Sequence, residues 1–475
     1  MQIQIYLPEK VRYILETYQK HGYQAFAVGG CIRDSIIGKE PIDWDICTSA
    51  IPSQTIGIFT EHKIIKTGMK HGTVTLLMED ETSCTGELSI DRLENLNSQS
   101  QKTNTSINYK HFEITTYRIE GNYTDNRHPD EIEYVKEIEI DLSRRDFTIN
   151  ALAYNQEHGL LDYFNGIDDL KNGIIKCVGN PDKRFHEDAL RILRALRFAS
   201  VLNFDIEAET KKSIFENKKL LHNISTERIT IELNKLLLGD GVGKIINNFF
   251  CVFEEFIPEL SPLKGFDQKN PFHCFDVLTH TLKSIDFASK DLLIRLAMLF
   301  HDIGKPECYT EQDGIGHFYG HASVSEKKAF ERLTKLKYDN ETKKIVSELI
   351  LYHNLEVLPE EKNIKKWLRK IGAERLRQLL EVKKADILAK AHHVLKCNLC
   401  FLEESELLLE EIISQEQCFS LKNLAITGKD LLELGIQEGK TIGDILNILL
   451  DKVINNEISN EKDALLGAIK DLTHF

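Results

Sequence analysis

The sequence predicts an α+β protein, a small mixed α/β head followed by an all-helical neck and body. Three observations predict it. At 475 residues the chain is long enough for about three domains. Strand-like runs alternate with turn signals up to about residue 141, and from Leu142 helical periods dominate. An apolar content of 42% is that of an ordinary globular chain. Taken in order, residues 9–22 carry helical spacing and stop at Gly22. The run from Gln24 to Val28 reads as a buried strand, Gly29 and Gly30 open a short helix from Cys31 to Ile37, and Gly38 ends it. A strand carrying Asp43 and Asp45 follows, then alternating strands over 63–67, 71–78 and 111–119. Between them, residues 95–108 are almost entirely Asn, Ser, Gln, Thr and Lys. That is the composition of an uncovered, flexible loop, and disorder is expected over about 81–109. These signals divide the chain into a head over 1–141, a helical neck over 142–255, a second helical domain over 265–395 and a helical tail over 396–475.

A net charge of −14 argues against a generally basic nucleic-acid coat. Acidic residues crowd the C-terminal third, as in Glu403, Glu404, Glu406, Glu410 and Glu411. Arginine and lysine gather between Arg144 and Arg228, so an RNA contact belongs there and should be salt-sensitive. No run of 18 apolar residues exists, so no membrane span is expected, and the N-terminus has no secretory signal. The ten cysteines show no disulfide-like framework. Cys397 and Cys400 form a Cys-x-x-Cys without a second pair, so free thiols in a reducing, cytoplasmic setting are expected.

The most informative stretch is Ile42-Asp43-Trp44-Asp45-Ile46, just after Gly29-Gly30-Cys31-Ile32-Arg33-Asp34. On a strand, residues i and i+2 share a face, so both carboxylates project together while Ile42, Trp44 and Ile46 turn into a core. Two ionised carboxylates side by side repel each other unless a cation lies between them. Hard oxygen ligands suit Mg²⁺, which takes one or two carboxylates together with substrate phosphates. A glycine pair before a helical turn lets backbone N–H groups approach phosphate oxygens. Gly29, Gly30 and Arg33 would hold a triphosphate, and Asp43 and Asp45 the metals that drive in-line displacement.

Residues 25–50, carrying these two motifs, resemble the first motif of the class II tRNA nucleotidyltransferases, the CCA-adding enzymes, and of their relatives the bacterial poly(A) polymerases. The stretch Lys66-Thr67-Gly68-Met69-Lys70-His71-Gly72-Thr73 resembles the CCA-adding branch, where the polymerases carry an Arg-rich sequence instead. From His111 to Arg118, Glu113 and Thr115 share one strand face with Phe112 and Ile114 opposite. The resemblance makes Glu113 the third carboxylate of a catalytic triad. Residues 121–130 match the family's flexible loop, implicated in the switch to the last addition. Arg144-Arg145-Asp146-Phe147 looks like the second motif; Arg144 and Arg145 can reach phosphates or ribose, and Asp146 can accept from a ribose hydroxyl. Residues 225–235 continue the resemblance as a helix capped by Ser225 or Thr226.

Glu187, Asp188, Arg191 and Arg194 share a helix face by i+3 and i+4 spacing, with Leu190, Leu193, Leu196 and Phe198 on the core side. Such a row can be a set of intrahelical salt bridges. It can also read a base. Arginine offers only donors and ionised aspartate only acceptors. Cytosine and adenine each present an amino donor beside a ring acceptor, which one Asp–Arg pair matches. Guanine and uracil reverse that order, and a buried mismatch costs about 1–3 kcal/mol per unsatisfied group. In the resembled family these positions act as a protein template, which points to Asp188 and Arg191.

A second constellation lies further on: His273, His280, His301, Asp302, His317, His321, His353 and Asp386. His301-Asp302 ends the apolar run 296–300 and precedes Gly304-Lys305-Pro306, which resembles an HD-domain metal phosphohydrolase. The pattern assigns His280, His301, Asp302 and Asp386 to a metal. Imidazole with carboxylate suits a divalent transition metal as well as Mg²⁺. His317, His321 and His353 could hold a second ion. This resemblance implies phosphodiesterase or phosphatase activity, such as removal of a 2′,3′-cyclic phosphate from RNA ends; the alternative is an HD fold kept as an RNA-holding body.

The resemblance covers about residues 24–235 and 270–390. It implies addition of CCA to the tRNA 3′ end from CTP and ATP, with Mg²⁺ at the head, the tRNA acceptor end as partner and no membrane. The alternatives are an enzyme adding only CC or only A, a poly(A) polymerase, a metal phosphodiesterase whose head merely binds RNA, and a non-catalytic tRNA-binding protein. The metal-ligating aspartates argue against the last. Oligomeric state is open.

Overall fold

The computed structural model describes residues 4–79, 109–121 and 132–472. The polar insert and the loop over 122–130 lie outside the described residues. The chain divides into two compact units, Met1–Ala199 with Asn203–Ile224 and Ser200–Leu202 with Ser225–Phe475.

The first unit is built on a mixed sheet. Its strands are β1 (Ala25–Val28), β2 (Asp45–Thr48), β3 (Lys63–Ile65), β4 (Thr73–Glu79) and β5 (Tyr109–Thr116). A small ladder of β6 (Arg118–Glu120) and β7 (Ile132–Tyr134) stands apart, and β8 (Leu152–Asn155) and β9 (Gly159–Asp162) complete the main sheet. The order is β3-β4-β5-β2-β1-β8-β9, antiparallel throughout except for the parallel pair β2 and β5. Both faces are covered, so β1 is apolar without alternation. Ala25, Ala27 and Ile46 pack with Val11, Ile14 and Tyr18 of helix α1 (Glu9–Lys20). On the other face Phe26, Val28 and Cys47 pack with Ile138 and Leu142. Helix α2 (Gly30–Ile36) leaves β1 through the glycine turn, and α3 (Ile138–Ser143) leads into the Arg144-Arg145-Asp146 segment.

Three expectations for this unit are corrected. Strands do not end at Leu142: β8 pairs with β1 and carries the head sheet on to β9. Leu152, Ala153 and Tyr154 are all buried, so the alternation that signals a strand is absent. The strand carrying the acidic pair begins only at Asp45, which pairs with Val28, so Asp43 sits in the approach to it. Ile42, expected in the core, is 88% exposed, whereas Trp44 and Ile46 are buried as expected. The helix expected through 187–194 is two, α4 (Pro181–Glu187) and α5 (Leu190–Leu202). Asp188 between them has extended backbone and accepts from Leu190 N at 3.1 Å, so its side chain caps the second helix instead of riding on its face.

The second unit is helical, apart from a hairpin that helical periodicity gave no sign of, β10 (Thr310–Gln312) with β11 (Ile315–His317). The helices that matter for chemistry are α6 (Val277–Phe287), α7 (Leu292–Phe300), α8 (His321–Lys335), α9 (Asn340–Tyr352) and α10 (Ala373–Leu388). A separate cluster of Leu431, Ile445, Leu449, Val453 and Leu465 forms the core of the tail. Among the described residues no helix is long and apolar enough to cross a membrane.

Candidate functional sites

In the head, the parallel pairing sets Ile46 opposite Ile114, so the preceding residues Asp45 and Glu113 lie side by side on neighbouring strands. Phe112, Ile114 and Ile46 are buried, which turns both carboxylates to the open side. Asp45 keeps contact with solvent but is recessed. Desolvation pushes its carboxyl up, Arg145 opposes this, and the charges of Glu113 and Asp43 raise it further. Asp43 thus joins the group although it lies before the strand. The three carboxylates offer oxygen donors of the kind that a hard divalent cation takes.

Gly29 joins β1 to α2 with φ of +80°, and a Cβ there would stand 3.0 Å from Arg145 Nη1. Only glycine satisfies both the left-handed backbone and the close guanidinium. Arg33, expected at the triphosphate, is buried. Its Nη1 donates to Asn150 Oδ1 at 2.7 Å, its Nε to Asp34 Oδ1 at 2.8 Å, and it lies 5.0 Å from the Phe198 ring. It braces the glycine turn, and Arg145 is the guanidinium that Asp45 feels. Arg194 and Arg197 also flank Phe198, at 5.5 and 3.9 Å, a cluster of cations around a ring that read as core in the sequence.

The segment after α3 is clamped to α5. Asp146 is buried and accepts from Phe147 N at 2.8 Å, Asn150 Nδ2 at 3.1 Å, and Arg194 Nε and Nη2 at 2.8 and 2.6 Å. Burial alone would raise its carboxyl, but the Arg194 charge and the Asn150 hydrogen bond hold it down to about 2. A depressed carboxyl contributes stability that is present above the unfolded value near 4 and is lost as pH falls through the folded value. Asp146→Asn is therefore expected to be less stable than wild type by about 2 kcal/mol at neutral pH. That gap should close between pH about 4 and 2, as urea unfolding of the two proteins would show. A gap constant down to pH 2 would refute the clamp. The other carboxylate of the expected row, Glu187, accepts from Arg191 Nη1 at 2.5 Å and Arg184 Nη1 at 2.7 Å. Arg191 Nη2 also donates to Arg144 O at 3.0 Å. The row therefore resolves into two pairs, Glu187–Arg191 and Asp146–Arg194. The roles of Arg184 and Asn150 as clamps were missed; only the i+3 spacing of Arg184 and Glu187 hinted at them.

The second unit gathers the histidines. His280 projects from α6, His301 and Asp302 follow α7, His321 opens α8, His353 follows α9 and Asp386 lies on α10. Their donor atoms form two trios, His280–His301–Asp386 and Asp302–His321–His353, each within 4.8 Å. The second trio differs from the expected one. His317 belongs to neither, and Asp302 takes its place. Each Nδ1 is anchored on a backbone carbonyl: His280 on Ala389 at 3.2 Å, His301 on Met298 at 2.7 Å, His321 on Phe318 at 2.7 Å and His353 on Ile350 at 2.6 Å. This turns every Nε2 inward with its lone pair when the ring is neutral. The Nε2 atoms of His280 and His301 are 3.4 Å apart, and those of His321 and His353 3.3 Å.

Asp302 lies between the trios. Its Oδ2 stands 3.1 Å from His301 Nε2 and 3.5 Å from His280 Nε2. Its Oδ1 stands 3.5 and 3.9 Å from His321 and His353 Nε2, and has no hydrogen-bond partner among the described residues. Burial lowers His280, His321 and His353, the last to about 3. Burial also lowers His301, but the charge and hydrogen bond of Asp302 together with the charge of Asp386 leave it raised. Convergent nitrogens and an orphaned buried oxygen fit divalent cations, which His280, His301 and Asp386 and, beside them, Asp302, His321 and His353 would hold. His273 packs edge-on against His280 with centroids 5.1 Å apart but joins neither trio.

Residues 25–106 and 87–176 match the poly(A) polymerase head domain, and residues 307–469 match the second domain of tRNA nucleotidyltransferases. A Lactococcus lactis CCA-adding enzyme is 32% identical over 96% of this chain and 94% of its own length. A Limosilactobacillus reuteri CCA-adding enzyme is 32% identical over 98% and 97%. The Bacillus stearothermophilus CCA-adding enzyme in complex with CTP is 26% identical, with a TM-score of 0.68 over 97% of this chain and 96% of that one. A Thermotoga maritima CCA-adding enzyme complexed with tRNA shares the fold, at 18% identity and a TM-score of 0.56.

Proposed function

The chain belongs to the CCA-adding enzymes, and from that membership we propose how its own residues carry out the reaction. It is a tRNA nucleotidyltransferase that builds CCA on the tRNA 3′ end from CTP and ATP. CC-only or A-only addition is not favoured. Enzymes of this family use divalent metal ions; here Mg²⁺ is the ion that the oxygen-only set of Asp43, Asp45 and Glu113 suits. The observation that carries the assignment is the meeting of Asp45 and Glu113 on paired strands, beside the Gly29 turn and Arg145. One metal would lower the barrier to attack by the terminal 3′-hydroxyl and the other would steady the leaving pyrophosphate. Gly29, Gly30 and Arg145 receive the triphosphate, and Asp146, fixed by Arg194, faces the ribose. The cytoplasm, where tRNA and nucleotides are, is the compartment this reaction implies.

The test is a gel assay with a tRNA transcript lacking CCA, Mg²⁺, and each nucleotide alone and combined. Three residues added only with CTP and ATP together are expected. Two residues with CTP and no further addition, or a long A tail, would displace the assignment. Base choice is tested separately. Asp188 and Arg191 present an acceptor and a donor for C and A, with Glu187 and Arg144 O orienting Arg191. Asp188→Ala should lower discrimination against UTP and GTP about tenfold or more in single-turnover kinetics, from the loss of one buried acceptor. Unchanged discrimination would remove Asp188 from the template.

A second reading stands beside the first because of the two trios. With metals held by His280, His301, Asp302, Asp386, His321 and His353, the second unit would hydrolyse phosphate esters, as the HD pattern implies. The metals would supply an activated water at neutral pH, and Lys305, which pairs with Asp302 at 2.7 Å, would balance charge beside the phosphate. Phosphate release that depends on added Mn²⁺, Ni²⁺ or Co²⁺ would support it.

A further inference from the structure

A cavity of about 650 Å³ opens beside the trios. Asp302, His321, His353 and Asp386 line it, together with Lys305 and Lys383. This end suits a phosphate. Val357, Leu358, Phe401 and Leu402 add an apolar patch to the lining, beside Asn354, Glu356 and Asn398. Tyr319 also lines the cavity and is 79% exposed.

The ring is held in place. It lies parallel to His317, with 6° between the planes and 5.4 Å between centroids, and its hydroxyl is 3.4 Å from His317 Nδ1. His317 ends β11 and pairs with Thr310 across the hairpin. The preceding Gly316 packs so closely on Gln268 that a Cβ would stand 2.2 Å from its carbonyl oxygen, and Gly316 O accepts from Asn270 Nδ2 at 3.1 Å. Gly320, with φ of +78°, then turns the chain straight into α8, whose first residue is the trio member His321. A rigid aromatic face and a metal-binding imidazole are thus two residues apart, at most about 7 Å between Cα atoms. His317 is offset toward the hydroxyl end of the Tyr319 ring, and the exposure of the residue leaves the ring face open.

We propose that Tyr319, backed by His317, is a stacking platform for a nucleobase. The cavity then takes nucleoside phosphates, phosphate toward the trios and base on Tyr319, in preference to phosphate esters without an aromatic group. Bases of any sequence present a flat π-face, so an aromatic ring selects nucleotides as a class. The proposal rests on the phosphohydrolase reading for its substrate but has a binding test of its own.

The experiment uses the full chain loaded with Mn²⁺, as wild type, Tyr319→Ala and Tyr319→Phe. Release of phosphate from uridine 3′-phosphate and from glycerol 2-phosphate is measured, together with calorimetric binding of uridine 3′-phosphate. Wild type is expected to show a KM about tenfold lower for the nucleotide than for the glycerol ester. Tyr319→Ala should raise the nucleotide KM about tenfold with little change in kcat, and Tyr319→Phe should restore it. A preference that survives Tyr319→Ala, or is absent from wild type, overturns the platform. If no ester is hydrolysed, the phosphohydrolase reading falls and calorimetry decides the platform alone. Binding about tenfold weaker in Tyr319→Ala upholds it, and equal binding overturns it.

Discussion

Replacing Asp45 by alanine is expected to lower the addition of both C and A by three orders of magnitude or more, about 4 kcal/mol of barrier. The residue is central in three senses. It begins β2, it neighbours Glu113 across the parallel pairing, and it feels Asp43, Glu113 and Arg145 together. Removing it takes a proposed metal ligand away and removes one of the acidic charges that Arg145 acts on. The fold should survive, because Asp45 is at the open end of the strand while Ile46 and Cys47 hold the two cores. Single-turnover extension of a tRNA ending in the discriminator base gives the rate, and a thermal melt confirms folding. tRNA affinity should change little, since phosphate contacts are assigned to residues 144–228. An Asp45→Ala protein that adds CCA at a rate within tenfold of wild type would end the two-metal account of the head.

The second large effect is expected at Asp302. This carboxylate gives one oxygen to each trio, so Asp302→Asn should empty both positions together, whereas His353→Ala should spare the first. Metal analysis of protein loaded with Mn²⁺ and desalted would show two bound ions in wild type, one in His353→Ala and none in Asp302→Asn. Phosphate release should fall at least 100-fold in Asp302→Asn, while CCA addition stays within about twofold. Asparagine is the better substitution. Its amide oxygen can still accept from Lys305, whereas alanine would leave that ammonium with Gln268 Oε1, at 2.8 Å, in place of both acceptors. Two ions retained by Asp302→Asn would dismiss the bridging role.

The candidate motifs were conspicuous in the sequence because their residue types are improbable in a merely structural setting. Asp43 and Asp45, the glycine turn and His301-Asp302 all stood out in that way. What remained hidden follows from physics that a linear pattern does not encode. The break at Asp188 depends on a side chain capping the next helix, which competes with the helical period on either side of it. Arg33 looked like a phosphate ligand because an arginine after two glycines has that chemistry, but Asn150, distant in sequence, claims it. The β8 strand was invisible because burial on both faces erases alternation. The exchange of Asp302 for His317 in the second trio rests on helix ends that no spacing rule describes.

Each set of reactive groups lies wholly inside one compact unit, the acidic set within Met1–Ala199 and the histidine trios within Ser225–Phe475. No residue serves both. In evolutionary terms the two are separately heritable. A lineage can let the histidines drift to other residues without altering Asp43, Glu113 or Arg145, the groups whose charges Asp45 feels.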